Sequence, residues 1–346
     1  MAKHGYVICA HVNHPADQSQ DRPPVHDALA VVILNLNRSN DTLECVRSVQ
    51  GSRIENTRIL VVDNGSARND FDRLSSNLRN DVELMRLSEN IGVSAAWNVA
   101  IRYLRSELDP KYVLLLNNDT IVESTTMGEL VEFLQWNSSA GAVGPRVVTY
   151  TKPHELQYHH LKGTTVPTVD YSLSGCALMI RMNVFDCIGL FDQDYFVYSE
   201  ECDFLARMKT SPWLPFYVPT VGRVFHKGAA TSRLVSGFEA YHRSRSALVF
   251  AAKNRRGLDL FMYVVVYHMA IQASGLLLDT SLDGRPAIAS RIRGTLAGLI
   301  TLVKTGGNRC ESVVQASSLG DGFERRNDSA RQIIYVLSEG RWTMTH

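Results

Sequence analysis

Several features that mark other classes of protein are scarce in this sequence of 346 residues. Its six cysteines are scattered, with no CxxC pair and no His/Cys cluster at the spacing of a zinc site. A disulfide framework is therefore not expected, and a reducing cytoplasm suits the chain. Residues 1–24 lack the apolar segment of a signal peptide, so export is not expected either.

An excess of charge of one sign is also missing. The 36 Lys and Arg residues nearly balance the 35 Asp and Glu residues, which gives a formal net charge of +1. Proteins that bind nucleic acid or anionic lipid by bulk electrostatic attraction carry a basic excess, so no nucleic-acid partner and no bulk attraction to lipid are expected. The balance leaves room for a local basic patch. Apolar residues make up 45% of the chain and charged residues 21%, which is a globular composition.

Short apolar runs alternate with stretches of helical periodicity over the first part of the chain. Such runs are typical of strands buried on both faces of a parallel sheet. The alternation predicts an α/β fold with a mostly parallel sheet flanked by helices. Strands are predicted at 28–37, 58–63, 82–87 and 112–116, followed by 174–181 and 216–226, with helices near 94–106 and 124–136.

Polar residues occur where the predicted strands end. Asn35, Asp63 and the Asn117–Asp119 turn all follow apolar runs. In sheets of this kind, ligands bind beyond the carboxyl ends of the strands. The turn at 117–119 suits a Mg²⁺ or Mn²⁺ site completed by substrate phosphates, although an ordinary polar turn explains it as well.

Two later segments carry further candidates for chemistry. In YSEECDF, residues 198–204, like charges lie close enough to raise one carboxyl pKa, as a general base requires. The same acidic residues also suit the start of a solvated helix. His226 opens a loop of small residues, where an imidazole can bind a metal or phosphate or serve the structure alone.

Seven motifs in order along the chain resemble family 2 glycosyltransferases with the GT-A fold, closest to the rhamnosyltransferase-like members. They cover about residues 28–256, roughly two thirds of the chain. The motifs are VVILNLNRSNDTLECVRSV, VVDNGS, ENIGVSAAWNVAI, LLLNNDT, SGCALMIR, GLFDQDYFVYSEECDFLARM and HKGAATS.

The resemblance implies a Rossmann-like GT-A fold and a nucleoside-diphosphate sugar as the donor, plausibly a dTDP- or UDP-sugar. It implies a Mg²⁺ or Mn²⁺ ion held by Asp119 and His226. It places the catalytic base at Glu201 or Glu200, with Asp203 orienting the pair or binding the acceptor. The residues implied to bind the sugar nucleotide are Asn35, Asp63, Asn90, Asn98, Asn118, Arg207 and Lys227.

The sequence departs from the family pattern at four points. Asn117-Asn118-Asp119 stands in place of a DxD motif, which leaves one carboxylate and a weaker metal site. Position 201 is Glu where Asp is usual, and Ser94-Ala95-Ala96 replaces a glycine-rich stretch. The QxxRW motif of processive synthases does not follow the acidic cluster. We therefore expect inverting transfer of one or a few sugars, rhamnose or a hexose, to a lipid-linked or polysaccharide acceptor.

The sequence divides into an irregular extension at 1–27, a catalytic domain at 28–238 and a helical region at 239–303. The catalytic domain divides into a donor half, 28–150, and an acceptor half, 151–238, and a polar tail follows at 304–346. The apolar stretch 258–278 follows a basic cluster. It suits a transmembrane helix, a helix at the inner membrane surface, or a helix buried in the protein or between two copies.

Three other functions fit the sequence less well. A nicotinamide-dependent dehydrogenase needs a GxGxxG turn after the first strand, where this chain has NLNRSND. A sugar-nucleotide pyrophosphorylase needs a basic, glycine-rich loop, which is missing as well. A non-catalytic nucleotide-sugar or glycan-binding protein derived from a transferase remains as the alternative.

Overall fold

The structure is a computed structural model, and it describes most of the chain from residue 29 onward. The described residues are 29–52, 54, 56–149, 166–227, 237–268, 270, 284–305, 322–328 and 331–337. The predicted extension at 1–27 lies outside these ranges, as do most of the residues that follow Lys227 in the His226 loop.

The first half of the fold alternates strands and helices as the sequence predicts. Its strands β1 to β4 pair in parallel in the order β3-β2-β1-β4. Crossover helices between the strands make this arrangement possible, because parallel neighbours need a long connection. The elements are β1 (Leu29–Asn35), α1 (Ser39–Gly51), β2 (Thr57–Asp63), α2 (Arg68–Asn77), β3 (Val82–Arg86), α3 (Val93–Glu107) and β4 (Tyr112–Asn117).

The second half makes the sheet mixed rather than mostly parallel. Strand β8 runs antiparallel to both β4 and β6, whereas β9 runs parallel to β6 and antiparallel to β5. The elements are β5 (Thr120–Val122), α4 (Thr126–Trp136), β6 (Ala140–Thr149), β7 (Thr168–Val169), β8 (Ala177–Arg181), α5 (Val184–Ile188), α6 (Glu200–Met208) and β9 (Leu214–His226).

Each face of the sheet carries its own hydrophobic core. In β1, Val31 and Ile33 pack on the face covered by α1, α2 and α4, while Ala30 and Val32 pack against α3. Because successive side chains of a strand point to opposite faces, a strand covered on both sides must be apolar throughout. This explains the continuous apolar run at the start of the domain.

The chain after β9 forms a helical region. It contains α7 (Phe238–Asn254), α8 (Gly257–Met262), a π-helical segment (Tyr263–His268) and α9 (Gly284–Thr305), which packs along α7. The predicted helix 258–278 thus begins as two short segments, and most of it beyond His268 lies outside the described residues. Within the described ranges, no helix combines the length and the apolarity needed to cross a bilayer.

A hairpin near the C-terminus extends the sheet. Its strands are β10 (Gly322–Asp328) and β11 (Arg331–Leu337), and β11 pairs in parallel with β3, with Ile333 beside Leu84. Ile333 and Ile334 are buried by this contact. The prediction of a polar tail at 304–346 missed these strands, because short alternating segments give a weak signal in a polar context.

Candidate active site

A cleft of about 320 Å³ opens at the carboxyl ends of β1, β2 and β4. This is where ligands bind in sheets with parallel strands. The cleft brings together seven of the residues singled out in the sequence. They are Asn35, Asn90, Asn118, Asp119, Glu200, Glu201 and His226.

Asn35 holds one end of the cleft through a buried polar network. Its side-chain amide donates hydrogen bonds to Asp63 (2.9 Å) and Ser66 (3.0 Å), and its carbonyl accepts one from Thr42 (2.7 Å). Thr42 in turn accepts a hydrogen bond from Asn118 (3.1 Å). The network therefore fixes the end of β1 relative to the turn that carries the metal-site candidate.

The loop after β3 is held by a second amide pair. Asn64 donates to the Asn90 side chain (3.1 Å), and its carbonyl accepts from the backbone of Ile91 (3.1 Å). Gly92 follows with φ +84°, and a Cβ there would lie 2.6 Å from the Phe196 carbonyl oxygen. Glycine is required at this position because both the conformation and the close approach exclude a side chain.

Asp119 and His226 meet because β5 pairs with β9. Thr120, next to Asp119, lies opposite His226 in this antiparallel pair. The imidazole Nε2 of His226 is 3.1 Å from a carboxylate oxygen of Asp119 and 3.5 Å from the Asn117 side-chain nitrogen. Both residues line the cleft.

Asp119 and His226 offer two of the several ligands that a divalent cation requires. A carboxylate and an imidazole are both ligands of Mn²⁺, and Mg²⁺ sites often use one or two carboxylates with substrate phosphates completing the shell. Among the residues that the structure describes, no group of three or more His, Cys, Asp or Glu side chains surrounds a metal position. A cation at Asp119 and His226 would therefore need oxygen ligands from a bound substrate.

The acidic pair Glu200 and Glu201 begins α6, directly after two residues in the left-handed conformation. Burial raises the pKa of Glu200 well above its ordinary value, and the neighbouring Glu201 carboxylate raises it further. Burial also raises the pKa of Glu201, but several backbone N–H groups and Arg243 oppose that rise. Glu201 is thus the member of the pair better stabilised as an anion.

Each of the two carboxylates keeps one oxygen available. Buried Oε2 atoms of Glu200 and Glu201 have no hydrogen-bond partner among the described residues. A buried acceptor without a donor is costly, so a ligand hydroxyl placed there would gain a hydrogen bond.

Cys176 lies near both the metal-site candidate and the acidic pair. Burial raises the pKa of its thiol to about 12, and the carboxylates of Asp119 and Glu201 both act in the same direction. Because charge effects of this kind fall off with distance, both carboxylates lie near this thiol. Cys176 itself is a neutral part of the cleft wall.

Sequence reasoning missed one cation and several aromatic residues on the far wall of the cleft. Arg243 of α7 lines the cleft and lies 4.4 Å from the ring centroid of Tyr198. Phe196 and Phe238 also line it and pack on His242, with ring centroids 5.0 and 4.4 Å apart. Burial lowers the pKa of His242 to about 4, so this wall is neutral apart from Arg243.

The sequence segments that contain these residues were recognised, but each segment had more than one interpretation. Arg243 belongs to the basic stretch before residue 258, for which the sequence left membrane contact and burial in the protein both open. Asn64, a further residue of the cleft, directly follows Asp63 in the VVDNGS motif.

Five of the predicted residues lie away from the cleft lining. Asp63 is fully buried behind Asn35, and burial raises its pKa. Asn98 is also fully buried. Its side chain donates a hydrogen bond to the Phe191 carbonyl (2.8 Å) and accepts one from the Phe191 N–H (2.9 Å). Their positions favour a supporting role over direct contact with a ligand.

The other three residues form ion pairs. Arg207 forms an ion pair with the fully buried Asp203 (3.0 Å) and donates hydrogen bonds to backbone carbonyls that precede α6. Lys227 bonds Asp41 (2.8 Å) and Glu44 (2.6 Å) of α1. Burial lowers the pKa of Lys227, but the two hydrogen bonds raise it by more. These side chains stabilise the elements that carry the cleft.

Comparison with known proteins gives consistent matches. Residues 30–200 match the family model described as Glycosyl transferase family 2. The low-salt glycan biosynthesis hexosyltransferase Agl10 of Haloferax volcanii is 24% identical over 79% of this chain and 91% of its own length. The dTDP-rhamnosyl transferase RfbF of Shigella flexneri is 23% identical over 74% of this chain and 90% of its own length.

A solved structure shows the same fold. The mannosyltransferase PcManGT from Pyrobaculum calidifontis, in complex with GDP-Man and Mn²⁺, superposes with a TM-score of 0.52. The two chains are 14% identical over 80% of this chain and 87% of that one. The predicted α/β fold of the GT-A type is confirmed.

Proposed function

Because residues 30–200 place this chain in glycosyl transferase family 2, we propose that it is an inverting, metal-dependent glycosyltransferase. The proposed donor is a nucleoside-diphosphate sugar, either a dTDP- or a UDP-sugar, carrying rhamnose or a hexose. The names of RfbF and Agl10 support a rhamnosyl or hexosyl donor of this class.

One observation carries the proposal. The Asp119–His226 pair and the Glu200–Glu201 pair line the same cleft, and Cys176 lies near both Asp119 and Glu201. The first pair offers ligands for a cation that binds a diphosphate, and the second offers a base for a hydroxyl group. Glycosyl transfer from a sugar nucleotide needs both functions, on opposite sides of the sugar's anomeric carbon.

Asp119 and His226 are the residues that would hold Mg²⁺ or Mn²⁺. Such an ion neutralises the charge that grows on a departing diphosphate. Asn35, Asn64 and Asn90 line the same cleft and mark the part of it where the donor nucleoside would bind. Asn118 lies between the two regions, held by Thr42.

The reaction we propose is a single in-line displacement. Glu201 accepts the proton of the acceptor hydroxyl, and that oxygen forms a bond to the anomeric carbon. The bond from the same carbon to the diphosphate oxygen breaks, and the nucleoside diphosphate leaves with the electron pair. The transition state resembles an oxocarbenium ion, as in glycoside hydrolysis. Because the attack is opposite to the leaving group, the anomeric configuration inverts.

The proposed acceptor is a lipid-linked or polysaccharide glycan at the inner face of a membrane. The aromatic wall around Phe196 and Phe238 offers apolar surface of the kind that packs on sugar rings. Arg243 lies on the same wall and suits a phosphate or a sugar hydroxyl of the acceptor.

The test is release of nucleoside diphosphate from dTDP-rhamnose and UDP-hexoses, with and without Mn²⁺. We expect turnover with one nucleotide family and its loss in Asp119→Ala. Lys209→Met, which changes an exposed residue of α6's C-terminal end, serves as the control and keeps activity. Metal-independent turnover by Asp119→Ala would contradict the metal assignment. No turnover of any sugar nucleotide by the native chain would favour the binding-protein alternative.

A further inference from the structure

One face of α9 exposes a row of large apolar side chains. Ile292, Leu296, Ile300 and Val303 are 53%, 55%, 54% and 79% exposed. At about 100° per residue, these positions fall within one quarter of the helix circumference. We call these four residues the α9 apolar face.

The opposite side of α9 is closely packed on α7. A Cβ at Gly294 would lie 2.2 Å from the Tyr241 carbonyl oxygen, and one at Gly298 would lie 2.9 Å from Leu248 Cβ. The glycines let the two helices approach closely, so the orientation of α9 is fixed by this contact. The α9 apolar face therefore points away from α7.

The charge that α9 itself carries is of one sign. Gly284–Thr305 contains four basic residues and no acidic residue. Two of them, Arg293 and Lys304, are exposed and fall beside the apolar face on the helix circumference. Apolar side chains flanked by cations suit a surface that is apolar inside and anionic at its edge.

A second exposed apolar set lies nearby in the sequence. Arg255 and Arg256 precede the segment that contains α8 and the π-helical turn. Five large apolar residues of that segment are 47–74% exposed: Leu258, Phe261, Met262, Val265 and Val266. Exposed apolar side chains thus occur twice in the helical region, although Asp259 pairs with Arg255 (2.8 Å) in this second set.

From these observations we infer that the α9 apolar face docks on an anionic lipid bilayer surface. The apolar side chains enter the boundary between headgroups and acyl chains, while Arg293 and Lys304 meet anionic headgroups. This inference does not depend on the proposed transfer reaction, because it concerns a surface outside the cleft.

A second copy of the chain fits this face less well. In a twofold interface the same patch meets itself, so the cations of one copy would meet those of the other. The face offers no carboxylate of its own to pair with them. Anionic headgroups supply the missing charge, and we therefore commit to the lipid surface.

The experiment is flotation of the full chain with phosphatidylcholine vesicles and with vesicles that also contain roughly 30 mol% phosphatidylglycerol. We expect binding to the anionic vesicles that weakens as salt is added. The double variant Leu296→Ser/Ile300→Ser should bind more than about tenfold more weakly, because two apolar side chains no longer enter the lipid. Arg293→Gln/Lys304→Gln should lose about fivefold for each cation on anionic vesicles.

The matched control is Trp136→Ser/Val169→Ser, which removes two exposed apolar residues elsewhere on the molecule and should bind like the native chain. All variants change exposed residues, so circular dichroism should show native helix content. Failure of the native chain to bind anionic vesicles would overturn the inference, as would equal loss in the control. A native dimer that Leu296→Ser/Ile300→Ser converts to a monomer, with vesicle binding unchanged, would assign the face to a second copy instead.

Discussion

Glu200 and Glu201 are neighbours in the sequence, yet their surroundings differ. Glu200 is buried with only its own backbone N–H as a favourable contact, whereas Glu201 also bonds Gly175 and Cys202 N–H groups and lies near Arg243. The carboxyl that is better stabilised as an anion is the better proton acceptor at neutral pH. This difference favours Glu201 as the base.

We predict that Glu201→Gln lowers kcat by about 10²- to 10⁴-fold, the usual contribution of a general base. Glu200→Gln should cost about tenfold or less, because burial and the Glu201 carboxylate raise the pKa of Glu200 and so favour the protonated acid, which Gln resembles. Single-turnover transfer with the preferred donor measures both variants. Equal, mild losses would show that neither residue is the base.

A second prediction concerns Arg243 and pH. Its positive charge lowers the pKa of Glu201 against the effect of burial, so removing the charge raises that pKa. A base must be deprotonated, and the rising, acidic limb of the pH–rate profile should therefore move to higher pH in Arg243→Gln. Arg243→Lys keeps the charge and should leave the limb near its native position. An unmoved limb in Arg243→Gln would mean that Glu201 does not control the profile.

At the scale of elements, α7 positions the segment that leads to the acidic pair. The fully buried Lys253 bonds the carboxylates of Asp192 (2.6 Å) and Asp194 (2.5 Å). Ser246 of the same helix donates to the Val197 carbonyl (2.9 Å). Because α7 also carries Arg243 and packs on α9, it connects the cleft wall to the proposed docking face.

We predict that Lys253→Met lowers the free energy of unfolding by about 3–5 kcal/mol, because it leaves the buried Asp192 without its cation. Burial already raises the pKa of Asp192, and Lys253 opposes that rise. The variant raises it further, so the loss should be larger at pH 8 than at pH 5, because the lower pH favours the neutral carboxyl. Urea unfolding measures the change, with the exposed Lys209→Met as control. A loss below 1 kcal/mol at pH 8 would contradict this account.

At the scale of the whole molecule, ligand binding and stability are linked. A ligand that binds the native state alone stabilises it by about 2.7 kcal/mol at a hundredfold excess over its Kd. We predict that the melting temperature rises with one family among dTDP-, UDP- and GDP-sugars, and rises further with Mn²⁺. In Asp119→Asn the Mn²⁺-dependent part should disappear, while any shift from the nucleotide alone remains. An unchanged Mn²⁺ effect in that variant would place the cation elsewhere.

The sequence by itself determined the strand–helix alternation and which residues end the strands. Strands covered on both faces must be apolar throughout, and this signal survives without any knowledge of their neighbours. For the same reason the polar residues that follow these strands, at Asn35 and Asn117–Asp119, are recognisable in the sequence. The cleft lies beside them. The acidic pair at 200–201 was equally visible, because like charges seldom cluster without a cause.

The tertiary structure decided which polar side chains enter the cleft. Asp203 and Arg207 lie on the same helix as Glu201, but they pair with each other in the interior. Asn98 bonds the backbone of Phe191, a contact between segments far apart in the chain. Periodicity places residues on one face of a helix, but the packing of that helix decides which face meets the ligand.

Contacts between segments far apart in the chain completed the cleft and the sheet. His226 reaches Asp119 because β9 pairs with β5, and Arg243 reaches the cleft because α7 packs beside α6. The hairpin β10–β11 joins the sheet at β3, far from its place in the sequence. Local propensity carries no information on contacts of this kind, because their free energy comes from surfaces that meet only after the chain has folded.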